Sequence, residues 1–172
     1  TKGIAIATAV LAATALFGSY ATSVAEAVIE ANPSEDEFAL LDFEVFNPAV
    51  LVGLIAGAAV VFLFSGLAIN AVGRAAGAVV YEVRRQFREI PGIMEGTGRP
   101  EYGRVVDIVT RDSLRELVTP GLLAIMAPVA VGFGLGATAL AGFLAGAIGT
   151  GTLMAVFMAN AGGAWDNAKK LV

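Results

Sequence analysis

The chain has 172 residues, of which 57% are hydrophobic and only 15% are charged, with a formal net charge of −4. Soluble domains are usually closer to half apolar and a quarter charged, so this composition favours a membrane protein over an ordinary soluble domain. We expect no nucleic-acid partner. The absence of Cys and His excludes disulfides, thiol nucleophiles and zinc-type sites within the chain. A bound metal is therefore expected to be a hard cation held by oxygen, such as Mg²⁺.

Three long stretches of the sequence carry no charged residue: 3–25, 45–73 and 117–165. A helix needs about 20 apolar residues to cross the hydrocarbon core, so each of the first two stretches predicts one transmembrane helix. The third would form a rod of roughly 74 Å at about 1.5 Å per residue, which is too long for one crossing. It is predicted to form two helices joined by a short turn near 134–138.

The predicted fold is therefore all-α and integral to the membrane, with four transmembrane helices in a partial membrane domain covering 1–172. Their predicted spans are about 3–25, 49–73, 117–135 and 138–165. The first span is not followed by the cleavage-like pattern of a signal peptide. Because the sequence lacks an initiator Met and stops just after its most chemical motif, we expect a segment of a larger membrane protein.

The basic residues predict how these helices are oriented. With four alternating spans, all 11 Lys and Arg residues fall on one side of the membrane, whereas the loop 26–48 contains seven acids and no base. Short loops rich in Lys and Arg stay in the cytosol. Both chain ends and the connector 74–116 are predicted to be cytosolic, and the acidic loop 26–48 is predicted to lie outside.

The cytosolic connector is predicted to contain two helical stretches. Over 73–92 the second span continues as a helix because apolar residues recur at helical spacing, until Pro91-Gly92 stops it. A short amphipathic helix over 103–117 then leads into the third span. Pro120 and Pro128 lie in or near that span and are expected to kink it.

Two further patterns have a structural and a functional interpretation. Glycines are paired four residues apart, which we interpret as close helix packing in lipid. The stretch 132–136 could also suggest a nucleotide fingerprint, but no strand precedes it, so packing is the preferred interpretation there too. These pairs are Gly53/Gly57, Gly73/Gly77, Gly132/Gly136 and Gly142/Gly146. The arginines Arg84, Arg85 and Arg88 are interpreted as a topology signal with local pairing to Glu82 and Glu89. The alternative is a site for lipid headgroups or a phosphate-bearing ligand.

The longest apolar stretch ends in the sequence GGAWDNAKK, over 162–170. If the fourth span stays helical, Asp166 and Lys169 are three residues apart on one face, and Lys170 is four residues from Asp166. One interpretation is an interfacial anchor, with Trp165 in the aromatic belt and the lysines reaching toward the headgroups.

The other interpretation of this motif is an anion site, in which Asp166 holds Mg²⁺ and the lysines meet phosphate oxygens as point charges. Lys2 lies at the cytosolic end of the first span and could converge on the same place. Periodicity leaves both interpretations open.

Several stretches together resemble one family, the membrane-integral, ion-pumping pyrophosphatases. In chain order they are TKGIAI, ALFGSY, EVRRQFREIPGIMEGTGRPEY, PGLLAIMAPVAVG, LAG and NAGGAWDNAKK. The resemblance covers essentially the whole chain, and its last motif is highly specific. It implies a bundle of about sixteen transmembrane helices per subunit, homodimeric assembly, and a place for this segment at the twelfth to fifteenth helices.

The resemblance also implies roles for individual residues. Asp166 matches an aspartate that binds Mg²⁺ at the pyrophosphate site, and Lys169 matches a lysine that contacts pyrophosphate. Lys170 is expected to support the same site, and Lys2 matches another substrate-contacting lysine. The catalytic carboxylates that activate water lie outside this segment, so no catalytic residue is assigned within it.

The implied function is an ion-translocating inorganic pyrophosphatase that hydrolyses Mg-pyrophosphate on the cytosolic side and pumps H⁺. Thr1, which precedes the Lys2 position, is typical of potassium-independent members, although it could simply cap the helix. The expected location is a prokaryotic cell membrane rather than a vacuolar or other acidic-organelle membrane, with pyrophosphate, the lipid bilayer and a second copy as partners. The alternatives are a secondary transporter, whose polar groups should lie near the midplane, and a structural membrane module with interfacial Asp and Lys anchors.

Overall fold

The computed structural model of this chain describes residues 1–31 and 43–171. These described residues form five α-helices: α1 (Lys2–Ala31), α2 (Pro48–Glu89), α3 (Tyr102–Glu116), α4 (Val118–Leu135) and α5 (Ala137–Ala168), followed by a 3₁₀ turn, Lys169–Leu171. By length and composition, four helical stretches can cross a membrane: α1, α2, α3 joined to α4, and α5 with its 3₁₀ turn. The predicted all-α membrane fold with four spans is confirmed. Most of the predicted acidic loop, 32–42, lies outside the described residues.

The break in the longest apolar stretch is a single glycine. Helix α4 ends at Leu135 and α5 begins at Ala137, so Gly136 alone forms the turn, inside the interval 134–138 that the sequence indicates. Its φ of +90° lies in the left-handed region, which glycine adopts without the steric cost that a Cβ brings. Two long apolar helices can therefore follow each other with almost no loop.

The connector is helical on both sides of a tight loop. Helix α2 continues unbroken to Glu89, and Pro91 then prevents its extension. The loop closes where the backbone N–H groups of Thr97 and Gly98 donate to the Gly92 carbonyl at 2.9 and 2.7 Å. Helix α3 follows, and Leu117, in helical conformation, links it to α4. The predicted extension of the second span and the predicted short helix are both present.

The chain divides into two compact units, Thr1–Leu63 with Ile125–Val172, and Phe64–Ala124. In the first unit α2 and α5 pack backbone to backbone. A Cβ atom at Gly53 or Gly57 would collide with the carbonyl groups of Ala139 and Phe143 on α5. Reciprocally, a Cβ at Gly142 or Gly146 would collide with the carbonyl groups of Val50 and Leu54 on α2.

This reciprocal contact explains two of the four glycine pairs as close helix packing. Gly73 and Gly77 meet open space within the described chain, so packing is not shown for them. Gly132 approaches the Leu140 side chain, and Gly136 forms the turn. Glycines with the same spacing therefore have three different structural roles, namely close backbone packing between helices, approach to a neighbouring side chain, and formation of a turn.

We expect Gly142→Ala to destabilise the protein, because the added methyl group has to displace the α2 backbone at Val50. Overpacking of this kind costs about 1 to 3 kcal/mol. Gly149→Ala in the same helix is the matched control, since a Cβ there meets nothing within 4 Å in the described chain. The thermal unfolding temperature of the detergent-solubilised protein is the measurement. Equal midpoints for the two variants would contradict the close α2–α5 contact.

Helix α1 packs antiparallel to α5 in the same unit. The Tyr20 hydroxyl on α1 donates to the carbonyl of Ala137, the first residue of α5, at 2.8 Å. Along the pair, small side chains such as Ala9 and Gly151 line a shared apolar cleft. Because the helices run in opposite directions, the start of α1 lies beside the end of α5. This arrangement places Lys2 near the motif 162–170.

Many large apolar side chains on the described helices are exposed, including Leu11 at 69%, Phe133 at 93% and Leu153 at 74%. The Thr8 and Thr14 hydroxyl groups on α1 are satisfied inside the helix, since they donate to the carbonyl oxygens of Ile4 and Val10 at 2.9 and 3.0 Å. Lipid, or further helices, can cover such surfaces without leaving polar groups unpaired.

Candidate functional site

The last turn of α5 and the 3₁₀ turn after it carry the predicted cluster. The Lys169 ammonium group lies 2.6 Å from Asp166 Oδ1, and the Lys170 ammonium group lies 3.8 Å from Asp166 Oδ2. The helix continues through Asp166 to Ala168 before tightening at Lys169. The predicted sharing of one helix face by these three residues is therefore observed.

The hydrogen bond and the charge of Lys169 lower the pKa of Asp166 below its ordinary value, and the charge of Lys2 on α1 adds a smaller effect in the same direction. Lys2 forms no ion pair with Asp166 in the described part of the chain. Partial burial of the carboxylate works in the opposite direction. The structure thus places Asp166, Lys169 and Lys170 in contact, with Lys2 nearby, where the start of α1 lies beside the end of α5.

The cluster is open to its surroundings. The Asp166, Lys169 and Lys170 side chains are 56%, 70% and 64% exposed. Exposed ion pairs of this kind contribute little to stability, so the cluster is a poor candidate for a purely structural feature of this unit. Two ammonium groups pair with one carboxylate, and the nearby charge of Lys2 adds to theirs, so the three lysines exceed the carboxylate by two positive charges. That excess, at a water-accessible helix end, favours a multiply charged anion.

Asp166 fits a partial magnesium site. The described residues contain no group of three or more Asp, Glu, His or Cys side chains that could hold a metal alone. Mg²⁺, however, is usually bound by one or two carboxylates together with waters and the phosphate oxygens of a substrate. A single carboxylate beside exposed lysines therefore suits a metal that arrives with a phosphate compound.

The interfacial-anchor interpretation rests on Trp165, which is 77% exposed beside Asp166. An aromatic side chain at a span end is typical of anchors, and the geometry of Trp165 is compatible with that role. It does not account for Lys2, which lies on another helix. Convergence from two helices favours the anion site over the anchor.

The arginine-rich connector forms a separate network, in the second unit. Arg85 is hydrogen-bonded to Glu82 at 2.7 Å and to Glu89 at 2.6 Å, as the local-pairing interpretation predicts. Arg84 and Arg88 are exposed and form no ion pair within the described part of the chain. The network is thus mainly structural, with Arg85 as its centre.

Sequence reasoning missed that the network reaches α3. Glu101 accepts from Arg85 at 2.9 Å, and its backbone N–H donates to the Gln86 side chain at 2.9 Å. Gln86 is only 4% exposed and Glu82 only 6%. Hydrogen bonds from Arg85 and Gln86, with the charge of Arg104, lower the pKa of Glu82 to about 2. The only sequence signal for this contact was Gln86, an uncharged polar residue one helical turn after Glu82.

Together the fold and the site define a multi-pass α-helical membrane protein with a cationic, carboxylate-centred cluster where two spans meet. Its family follows from comparison with known proteins. The family model described as "Inorganic H+ pyrophosphatase" matches residues 1–172, and the chain belongs to this family. The family resemblance expected from the motifs is confirmed.

Individual relatives are similar over the whole chain. It is 69% identical to a protein of Streptomyces avermitilis and 70% identical to one of Streptomyces coelicolor, each named "K(+)-insensitive pyrophosphate-energized proton pump". It is also 46% identical to a "Putative K(+)-stimulated pyrophosphate-energized sodium pump" of Bacteroides thetaiotaomicron, over 99% of this chain and 26% of that protein. The alignments with the Streptomyces proteins cover 100% of this chain but only 22% of the relatives. The chain therefore spans about a fifth of the length of these relatives, which agrees with part of a larger bundle.

Proposed function

We propose that the protein containing this chain hydrolyses Mg-pyrophosphate on the cytosolic side of a prokaryotic cell membrane and pumps H⁺ across it. The observation that carries this proposal is the pairing of Lys169 and Lys170 with Asp166 at the end of one span, with the charge of Lys2 nearby at the start of another. Family membership and the names of the relatives support it.

In this proposal the lysines bind the pyrophosphate oxygens. Pyrophosphate carries several negative charges, and cationic groups held in place stabilise the charge that develops on the leaving phosphate. Asp166 is one ligand of Mg²⁺, which when bound supplies Lewis-acid polarisation of the phosphate oxygens. Three ammonium groups on two helices can contact both phosphate groups of one substrate at the same time.

The proposed pump is independent of potassium. Thr1 immediately precedes Lys2, and the two Streptomyces relatives named as K(+)-insensitive proton pumps are much more similar to this chain than the Bacteroides relative named as a potassium-stimulated sodium pump. Because the family contains both types, membership alone does not choose between them. The higher identity and Thr1 together favour the proton pump.

The experiment uses membrane vesicles that contain the full-length protein. We expect Mg²⁺-dependent release of phosphate from pyrophosphate at a rate that is unchanged by adding K⁺, together with quenching of a pH-sensitive dye that a protonophore abolishes. Absence of Mg²⁺-dependent hydrolysis would refute the proposed function. Several-fold activation by K⁺, or transport of Na⁺ instead of H⁺, would refute the proposed ion specificity alone.

The proposed orientation places both ends of the chain in the cytosol. Cysteines introduced into a cysteine-free background at Thr97 and at Asp36 test it with a membrane-impermeant thiol reagent. We expect Thr97→Cys to react only from the cytosolic face and Asp36→Cys, which lies outside the described residues, only from the outer face. The uneven distribution of basic residues is the physical reason. Reaction of both cysteines from one side would contradict the four-span topology.

We also propose that the protein works as a homodimer in the lipid bilayer. A secondary transporter is a weaker candidate because its charged residues should lie near the bilayer midplane. In this chain the stretch 117–165, which contains α4 and nearly all of α5, carries no charge, and the cluster lies at the helix end.

A further inference from the structure

The motif DNAKK, over 166–170, forms two parallel pairs at the end of α5. Asp166 pairs with Lys169, and Asn167 pairs with Lys170 through a hydrogen bond of 3.1 Å from the Lys170 ammonium group to Asn167 Oδ1. In each pair the two partners are three residues apart in the sequence. Asp166 and Asn167 lie in the last turn of α5, and Lys169 and Lys170 lie in the 3₁₀ turn that follows it, so each pair joins the helix to the turn.

The two pairs differ in charge. The Asp166 carboxylate forms a short ion pair with Lys169 and a longer one with Lys170, whereas the Asn167 amide is neutral and offsets no charge. For Lys170 the amide oxygen at 3.1 Å is also nearer than the Asp166 carboxylate oxygen at 3.8 Å. Asn167 is therefore the nearer of the two groups that the Lys170 ammonium group contacts.

We propose that Asn167 is a positioning residue that holds the Lys170 ammonium group ready for a phosphate oxygen of the substrate. This inference rests on the proposed function. An amide suits this role because it is uncharged and therefore competes less than an anion would with phosphate for the Lys170 ammonium group. An amide is also a poorer Mg²⁺ ligand than a carboxylate. When Asp166 serves the metal, Lys170 thus keeps a partner of its own, and its long side chain loses less rotational freedom on binding.

A double-mutant cycle on ligand binding tests the proposal. Binding of Mg-imidodiphosphate, a non-hydrolysable analogue, is measured by calorimetry on the detergent-solubilised full-length protein and on Asn167→Ala, Lys170→Ala and the double variant. We expect Asn167→Ala to raise the Kd about three- to tenfold, the effect of losing one hydrogen bond. In the Lys170→Ala background the same change should raise the Kd less than twofold, because the group that it directs is gone.

A second variant separates positioning from mere acceptance of a hydrogen bond. Asn167→Asp keeps an acceptor oxygen but adds a negative charge, so we expect it to raise the Kd at least as much as Asn167→Ala does. Recovery of wild-type affinity by Asp would contradict the role of a neutral partner.

The outcomes distinguish this inference from the function on which it rests. Equal effects of Asn167→Ala in both backgrounds, with normal binding by the unmodified protein, would overturn the role of Asn167 alone. If the unmodified protein does not bind Mg-imidodiphosphate, the proposed function and this inference both fail.

Discussion

Replacing Lys169 with alanine is expected to reduce kcat/KM for Mg-pyrophosphate by about 100-fold or more while leaving membrane insertion intact. Removing one group that stabilises developing charge typically has an effect of this size. Lys169 forms the shortest ion pair of the cluster, at 2.6 Å from Asp166, and it is 70% exposed, so its loss leaves no cavity. Phosphate release by membranes with matched amounts of the variant and unmodified protein is the measurement.

Two further variants serve as controls for the effect of Lys169→Ala. Arg84→Ala removes an exposed cation that forms no ion pair within the described residues, and it is expected to leave kcat/KM unchanged. Lys169→Arg keeps the charge but replaces a point charge with a planar fork, so partial activity is expected. Near-normal turnover by Lys169→Ala would restore the interpretation of the cluster as an interfacial anchor.

The helices were largely predictable because membrane-spanning segments have a simple physical signature. A backbone in lipid has to satisfy its own hydrogen bonds, so long uncharged stretches indicate helices directly. The turn at Gly136 was predictable because 117–165 is too long for one crossing. The end of α1 was less predictable, since that helix extends to Ala31, beyond the apolar stretch that ends at residue 25. The continuation of α2 was predicted, and this helix ends at Glu89, just before the predicted stop at Pro91-Gly92.

Local contacts of the candidate site were predictable, but long-range contacts were not. Helical spacing places Asp166, Lys169 and Lys170 on one face, and the structure agrees. The same spacing also contains the Asn167–Lys170 pair, but spacing alone does not show whether an amide bonds to a neighbouring lysine or to water. The approach of Lys2 to Asp166 depends on the antiparallel packing of α1 and α5, and periodicity carries no information about which helices become neighbours.

In the second unit, the connector also combines local contacts that were predictable with a long-range contact that was not. Pairing of Arg85 with Glu82 and Glu89 follows from spacings of three and four residues on one helix. Pairing with Glu101 requires the loop after Pro91 to turn back on α2, with Gly92 and Gly96 at φ values of +82° and +73°. The glycines marked the turn, but only the structure shows which side chains it brings together.

Replacing Asp166 with asparagine is expected to abolish hydrolysis or to raise the Mg²⁺ concentration for half-maximal activity at least about tenfold, the scale of changes that disturb a metal site. The amide keeps the shape of the side chain but removes the charge that a hard cation requires. Because Lys169 and Lys2 hold the pKa of Asp166 below its ordinary value, the carboxylate is ionised throughout the neutral range in the unmodified protein. Asp107→Asn is the matched control, since Asp107 is exposed and forms no ion pair within the described chain. Magnesium titrations of hydrolysis that are identical for Asp166→Asn, Asp107→Asn and the unmodified protein would show that Asp166 is not a metal ligand.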